Sequence, residues 1–315
     1  MQRYLGSLKN SPVLISLIIT TRSGRGRELS RLLESLRASG DRNLEVILVS
    51  QDCAASVTPI LDQYRDCFLI KHVQHRRCGI STARNVALKY CAGGIIGFPD
   101  DDCWYPQDTL PKIRGHFQGS PNAAFVCASV IDPIRQLPFG HRRISKRKAP
   151  IRAANAFRLP ISVGIFFHAR QMKELPQFDD RFGAGEQWGS GEDTDLILSF
   201  LRAGYQGSFL PNVVVYHEIN YEGTDVKAVE KAFNYARGFG ALTAKSIYLR
   251  GQRAMGWVYI EAVTRTSARA LLSVLALNPR YCRLNAARVR GMVKGFAEGM
   301  SLYGHSKGEP IADRY

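Results

Sequence analysis

The stretch VLISLIITTRSGRGRELSRLLESLRASGDRNLEVILV (Val13–Val49) decides the architecture. Its opening, VLISLIIT (Val13–Thr20), is a near-continuous apolar and β-branched run, the pattern of a strand buried on both faces. Gly24 to Gly26 then opens a helical pattern that runs to Ala38 and sets Leu29, Leu32, Leu33 and Leu36 on one face. LEVILV (Leu44–Val49) is a second buried strand. The same rhythm continues outward. Ile60–Asp66 reads as part of a helix and Phe68–Val73 as a short strand. Ser81–Tyr90 reads as a helix closed by Gly93-Gly94, and Ile95–Phe98 as a fourth strand. Strands that alternate with helices predict βαβ units and a parallel sheet covered on both faces.

After Asp102 the pattern changes. Pro106–Phe117 predicts a helix started by its proline. Ala123–Ile131 and Ile161–Phe167 predict strands, Glu192–Ala203 a helix, and Asn212–Tyr216 a last short strand. Between the first two of these strands lies a Pro-, Gly- and Arg-rich stretch, Pro133–Pro160. It holds Arg142, Arg143, Lys146, Arg147 and Lys148, a basic segment suited to a solvated loop or to an anionic ligand. From about Val226 the pattern is helical throughout. Met255–Leu277 and Tyr281–Leu302 are divided by Asn278-Pro279. The expected division is therefore a catalytic region over 1–222 and a basic helical region over 223–315.

The chain has 315 residues, 45% of them apolar and 22% charged, which excludes a disordered or fibrous chain. Its formal charge of +16 calls for an anionic partner: a phosphorylated substrate, anionic lipid or nucleic acid. Seven scattered cysteines without a CxxC pair argue against a zinc ribbon or disulfide framework and predict reduced thiols. The first ten residues lack a signal-peptide core, and no apolar run is long enough to span a bilayer. The expected setting is the cytoplasm, with peripheral contact at the inner face of an anionic plasma membrane. Gly291, Gly295 and Gly299 recur at i+4 spacing, which permits close helix approach, either within the chain or in a homodimer.

Two acidic clusters carry the chemistry. FPDDDCWYP (Phe98–Pro106) places Asp100, Asp101 and Asp102 directly after a buried strand, where open α/β sheets bind ligands. Adjacent carboxylates repel, and a divalent cation relieves them; hard oxygen ligands suit Mg²⁺ or Mn²⁺. In an extended segment Asp100 and Asp102 point to one side. GEQWGSGEDTDL (Gly185–Leu196) places Glu192, Asp193 and Asp195 in a first helical turn, with Ser190 as candidate N-cap. The helix dipole favours acids there, and one aimed into a cleft suits a general base. His217 follows another strand end and is a candidate to complete a metal site. No Walker A sequence, dinucleotide fingerprint, GxSxG elbow or HExxH helix occurs.

Six pieces, in order, resemble the family 2 glycosyltransferases. They are SLIITTR (Ser16–Arg22), LEVILVSQD (Leu44–Asp52), GISTARN (Gly79–Asn85), FPDDDCWYP, WGSGEDTDL (Trp188–Leu196) and VVVYH (Val213–His217). The resemblance implies a GT-A (Rossmann-like) α/β fold: a mixed, mostly parallel sheet flanked by helices, here with a C-terminal helical extension. It implies inverting sugar transfer from a nucleotide-sugar donor, a UDP-sugar first, to a glycan or lipid-linked acceptor in cell-surface polysaccharide synthesis. Asp100 and Asp102 match the DxD metal positions and His217 the late metal-ligand histidine, with Mn²⁺ or Mg²⁺ as the ion. Asp193 matches the catalytic base and Glu192 its partner. Thr20, Thr21, Arg22, Asp52, Arg84, Asn85, Asp100 and Asp101 match donor-binding positions. Two departures stand out. Thr20 replaces the usual proline, and Ser50-Gln51 replace the acids that usually end the second strand, leaving Asp52 one position on. The rival readings are a metal-dependent nucleotidyltransferase and a non-catalytic basic module for membrane or nucleic acid. The resemblance implies no nucleic-acid partner.

Overall fold

The computed structural model describes residues 13–22, 24–51, 54–139, 147–172, 175, 177–219 and 224–304. Strand β1 (Ile15–Arg22), helix α1 (Gly26–Ala38), β2 (Leu44–Gln51), α2 (Ala54–Asp62), β3 (Leu69–His75), α3 (Ile80–Leu88) and β4 (Ile95–Gly97) follow in turn. The four leucines predicted to face inward from α1 are all buried. Next come β5 (Cys103–Trp104), α4 (Thr109–Gly119), β6 (Ala123–Asp132), β7 (Leu137–Pro138), β8 (Ala149–Pro150), β9 (Ile165–His168), α5 (Glu192–Arg202) and β10 (Gln206–His217). Three long helices complete the described chain: α6 (Val226–Tyr248), α7 (Ala254–Leu275) and α8 (Pro279–Tyr303).

One mixed sheet has the order β3-β2-β1-β4-β9-β6-β10-β5, with β7 added to β6 and β8 to β10. The ladders β3-β2-β1-β4 are parallel, as the unbroken apolar runs predict. β9 enters antiparallel to both β4 and β6, and β6 pairs parallel with β10. The chain winds outward from β1 to β3 and then crosses back to β4. This reversal opens a crevice at the carboxyl ends of β1 and β4, the usual ligand position in such sheets.

Two apolar cores sandwich the sheet. One joins α1, α2 and α4 to it through Leu32, Leu36, Leu61 and Ile113. The other gathers Phe98, Phe125, Phe167, Phe182 and Trp188 with Leu242 of α6, Met255 of α7 and Tyr303 of α8. The glycine stripe of α8 packs within the chain. A Cβ on Gly295 would lie 1.9 Å from the Arg237 carbonyl oxygen, and one on Gly291 2.3 Å from that of Phe233.

Several boundaries differ from the sequence reading. The helix expected from Pro106 begins at Thr109, after a turn capped by its own backbone. The helix expected over Ile60–Asp66 runs earlier, over Ala54–Asp62, with Pro59 inside it. The strand expected from Ile161 is a single tight turn at Ser162–Gly164 followed by β9. β10 is longer than its apolar core because Gln206–Leu210 already pairs with β6. Ser190 is not the N-cap of α5. That position is Gly191, at φ 100, while the Ser190 hydroxyl donates to the Tyr235 carbonyl. The left-handed conformation suits glycine and places Glu192 in the first turn.

Candidate functional site

The acid cluster lies at the crevice. Phe98 is buried and Pro99 ends the strand. Asp100 forms an isolated parallel bridge with Thr20, so the end of β1 fixes the first aspartate. The chain then turns at once into β5, which pairs antiparallel with β10 in the register His217↔Cys103 and Tyr216↔Trp104. That two-residue ladder brings His217 beside Asp102 across more than a hundred residues of chain. His217 Nε2 lies 3.2 Å from Asp102 Oδ1. One ligand atom from each of Asp100, Asp102 and His217 falls within 4.8 Å of the others.

His217 Nδ1 donates to the Glu218 carbonyl at 2.8 Å. A carbonyl accepts only, so Nδ1 carries the hydrogen and Nε2 faces the carboxylates. Two carboxylate oxygens and an imidazole nitrogen with its second nitrogen held by the backbone form a donor set that fits a divalent ion.

Each aspartate is held differently. Asp100 accepts from Arg84 Nη2 at 3.0 Å. Asp101 accepts from the Thr21 hydroxyl at 2.6 Å and lies 3.6 Å from Arg25 Nη1. Asp102 pairs with Arg25 Nη1 at 2.7 Å through its second oxygen, leaving the first toward His217. Burial raises the Asp100 carboxyl and pushes that of Asp101 up to about 6, against the pull of Arg84 and Thr21 respectively. Burial also opposes ionisation of Asp102, but bonds from His217 and Arg25 overcome it and hold its carboxyl far below the ordinary range. Burial opposes charge on His217 as well. The Asp102 and Asp100 carboxylates outweigh it, and the ring's pKa is raised.

Arg84 joins this cluster to the second one. Its side chain is 1% exposed and enclosed by Phe98 and Phe178, with ring centroids 5.8 and 5.3 Å away. Nη2 holds Asp100, and Nη1 points to Glu192 Oε1 at 3.6 Å without a hydrogen bond of its own. Burial and the neighbouring Asp193 raise the Glu192 carboxyl, opposed by Arg84. Asp193 is half-buried, and its Oδ1 accepts from the Thr194 backbone at 2.7 Å. The structure therefore brings Asp100, Asp102, His217, Arg84 and Glu192 into one chain of contacts, with Asp193 adjacent.

The remaining expected residues are placed as follows. Arg22 Nη2 donates to the Cys78 carbonyl at 2.7 Å, tying the end of β1 to the loop before α3. Asn85 uses both ends of its amide on the backbone of Phe178, each at 2.8 Å, and so fixes one wall of the Arg84 enclosure. Ser50 contacts His72 at 2.8 Å and Gln51 accepts from the Cys78 N–H at 2.9 Å, so both substitutes are occupied internally. Asp52 lies outside the described residues, as do Arg142, Arg143 and Lys146 of the basic stretch. A cavity of about 210 Å³ is lined by Thr21, Arg22, Gly24 and Arg25, among others; Thr21 and Arg25 are the residues that contact Asp101.

Three contributors escaped the sequence reading. Arg25 neutralises the aspartates from the GRGR segment. Arg31 stacks on Trp104 at 3.7 Å, donates to the Asp102 carbonyl at 3.1 Å and pairs with Glu218. Glu186 caps α3 by accepting from the Thr82 N–H at 3.2 Å and hydroxyl at 3.0 Å. Only the density of arginines near the first glycines hinted at any of these.

Comparisons with known proteins identify the family and the fold. The sequence profile of the family described as "Glycosyl transferase family 2" matches residues 16–174. The pre-mycofactocin glycosyltransferase of Mycobacterium tuberculosis is 24% identical over 282 residues, covering 84% of this chain and 56% of the relative. The chain thus spans little more than half the length of that relative. The mannosyltransferase PcManGT from Pyrobaculum calidifontis, solved with GDP-Man and Mn²⁺, has a TM-score of 0.61 at 16% identity, over 92% of this chain and 88% of that one. S. aureus TarS 1–349 in complex with UDP-GlcNAc has a TM-score of 0.51 at 18% identity, over 92% and 91% of the two chains.

Proposed function

The chain belongs to glycosyl transferase family 2 and has the GT-A fold, and on that premise we propose that it is an inverting, metal-dependent glycosyltransferase. Its donor is a nucleotide sugar and its acceptor a hydroxyl of a glycan or lipid-linked molecule in cell-surface polysaccharide synthesis. The observation that carries this reading is the continuous set Asp102–His217–Asp100–Arg84–Glu192, with Asp193 beside it, at the sheet's switch point. The donor class is supported by the UDP-GlcNAc and GDP-Man of the structural neighbours.

Asp100, Asp102 and His217 would hold the metal, and the ring nitrogen among them favours Mn²⁺ over Mg²⁺. When bound, such an ion supplies positive charge to a departing diphosphate. Asp193 accepts the proton of the acceptor hydroxyl. That oxygen forms its bond to the anomeric carbon from the face opposite the diphosphate. The bond from that carbon to the diphosphate oxygen breaks, and its electron pair leaves with the diphosphate. Attack from the opposite face inverts the anomeric centre. Glu192, its carboxyl raised by burial and by the neighbouring Asp193, sits next to the base. Thr21 and Arg22 line a cavity at the end of β1, where the nucleoside is expected. Arg84 positions both acidic clusters.

A thermal-shift panel tests this reading with UDP-, GDP-, dTDP- and CMP-sugars, each with Mn²⁺, with Mg²⁺ or with neither. At a ligand concentration of a hundred times Kd, binding adds about 2.7 kcal/mol of stability. One donor is expected to give a Mn²⁺-dependent shift that Asp102→Ala removes. Release of pyrophosphate on turnover, in place of a nucleoside diphosphate, would move the chain to nucleotidyl transfer.

A further inference from the structure

Helices α7 and α8 expose an apolar end that the fold does not cover. Of the 22 residues of α7 only Met255 is buried. Tyr259 near its start stacks on Phe296 near the end of α8, with ring centroids 4.8 Å apart, so the two helices run antiparallel. The turn that joins them is therefore the far tip of a hairpin. Leu271, Leu272, Val274, Leu275, Leu277 and Tyr281 are exposed there, Leu275 by 71% and Leu277 by 89%. Leu277 has a φ of 51°, a left-handed position where glycine or asparagine is ordinary. A largely exposed leucine thus stands where both backbone and solvent disfavour it.

The charge around this tip has one sign. From Ala262 to Ala297 there is no acid, while Arg265, Arg269, Arg280, Arg283, Arg288, Arg290 and Lys294 are all basic. Arg269, Arg280 and Arg283 flank the exposed leucines and pair with no carboxylate among the described residues. Among those residues no helix is long and apolar enough to cross a membrane. A second copy of the tip would set arginines against arginines. A nucleic-acid backbone would match the arginines but leave the leucines in water. A bilayer surface with anionic headgroups meets both, with side chains of leucine at the acyl boundary and guanidinium groups among the phosphates.

We infer that the α7–α8 tip, centred on Leu271–Arg283, is a membrane-surface wedge that seats this chain on anionic lipid. The inference names the segment for the peripheral membrane contact that the sequence leads one to expect, and it does not need sugar transfer to be correct. The test is flotation of the full chain with vesicles of phosphatidylcholine alone or mixed with phosphatidylglycerol. The wild type is expected to float with the mixed vesicles and not with the neutral ones. Each basic residue near such a surface contributes enough that the triple variant Arg269→Glu/Arg280→Glu/Arg283→Glu should bind at least about a hundredfold more weakly. Leu271→Ser/Leu275→Ser/Leu277→Ser should weaken binding about tenfold or more, with an unchanged melting temperature because these side chains are already exposed. Wild-type flotation by either variant would overturn the wedge. So would a serine variant that abolished a dimer in sedimentation velocity while leaving flotation intact, which would assign the tip to a second copy. Donor-dependent thermal shifts should persist in both variants. Their absence in the wild type too would count against sugar transfer and leave the wedge standing.

Discussion

Arg84 shows how a single residue organises the site. It is a buried cation with two carboxylates and two aromatic walls as its surroundings. Removing one partner of a buried ionic set strands the others, at a cost of about 3–5 kcal/mol. Arg84→Met is therefore expected to lower stability by that order in urea denaturation. An unchanged midpoint would mean that solvent already compensates Asp100 and Glu192 and that Arg84 adds no net stability. The sequence pointed to Arg84 through the GISTARN piece but could not show that it joins the two acidic clusters. That information lies in the approach of Arg84 on α3 to Glu192 at the start of α5. The aspartates themselves were legible, because three acids after a buried strand have few structural reasons to be there.

At the scale of elements, α5 is locked from behind. Asp195, two residues after the candidate base and on the opposite face of the helix, is bound by Lys245 of α6 at 2.9 Å and by Arg250 at 2.8 Å. Lys245 also holds Asp179 at 2.7 Å, and all three of Asp179, Asp195 and Lys245 are buried. Burial opposes ionisation of Asp179, yet Arg181 and Lys245 bring its carboxyl down to about 2 from an ordinary 3.8. The Asp195 carboxyl is lowered as well, Arg250 and Lys245 outweighing its burial. Because the folded values are depressed, this stability is fully present above about pH 4. It is lost as pH falls toward 2, and Asp179 alone accounts for about 2 kcal/mol of it. Acid unfolding of the wild type should thus steepen over that window, and Lys245→Met should begin to unfold at higher pH. A variant with the wild-type acid transition would show that the network adds nothing net.

The α6–α8 contact allows a second test at this scale. Gly295→Ala forces a Cβ to within 1.9 Å of a backbone oxygen and should cost about 1–3 kcal/mol in thermal unfolding. Gly115→Ala, in α4 with nothing within 4 Å, serves as the helical control and should be neutral or slightly stabilising. Equal effects would remove close packing as the reason for the stripe. The sequence spacing showed that the stripe permits close approach; it left open whether the neighbour was α6 or another chain.

For the whole molecule, the helical region and the sheet share one core. Trp188 donates to Glu298 at 3.0 Å, and Leu242, Met255 and Tyr303 pack among Phe182 and Trp188. We propose the boundary near residue 222 as a division of topology, with folding that crosses it. Expression of residues 1–222 alone should yield a chain without a cooperative melt, since Asp195 loses Lys245 and Arg250, Trp188 loses Glu298, and Asp179 loses Lys245. A cooperative transition near that of the full chain would show two independent units.

The sequence alone determined the parallel β1–β4 half, the inward face of α1, the position of the first acid cluster and of His217 at strand ends and the approximate extent of the last two tail helices. Those features depend on local periodicity and on apolar runs whose burial follows from their composition. Only the tertiary structure decided that β5 pairs with the end of β10 and so brings His217 to Asp102. It alone gave Arg25 and Arg31 their places around the aspartates, buried Arg84 between two acidic clusters and matched Lys245 to Asp179 and Asp195. Each of those pairings joins groups far apart in the chain, and a charge carries no mark of which opposite charge it will meet until burial removes the water between them.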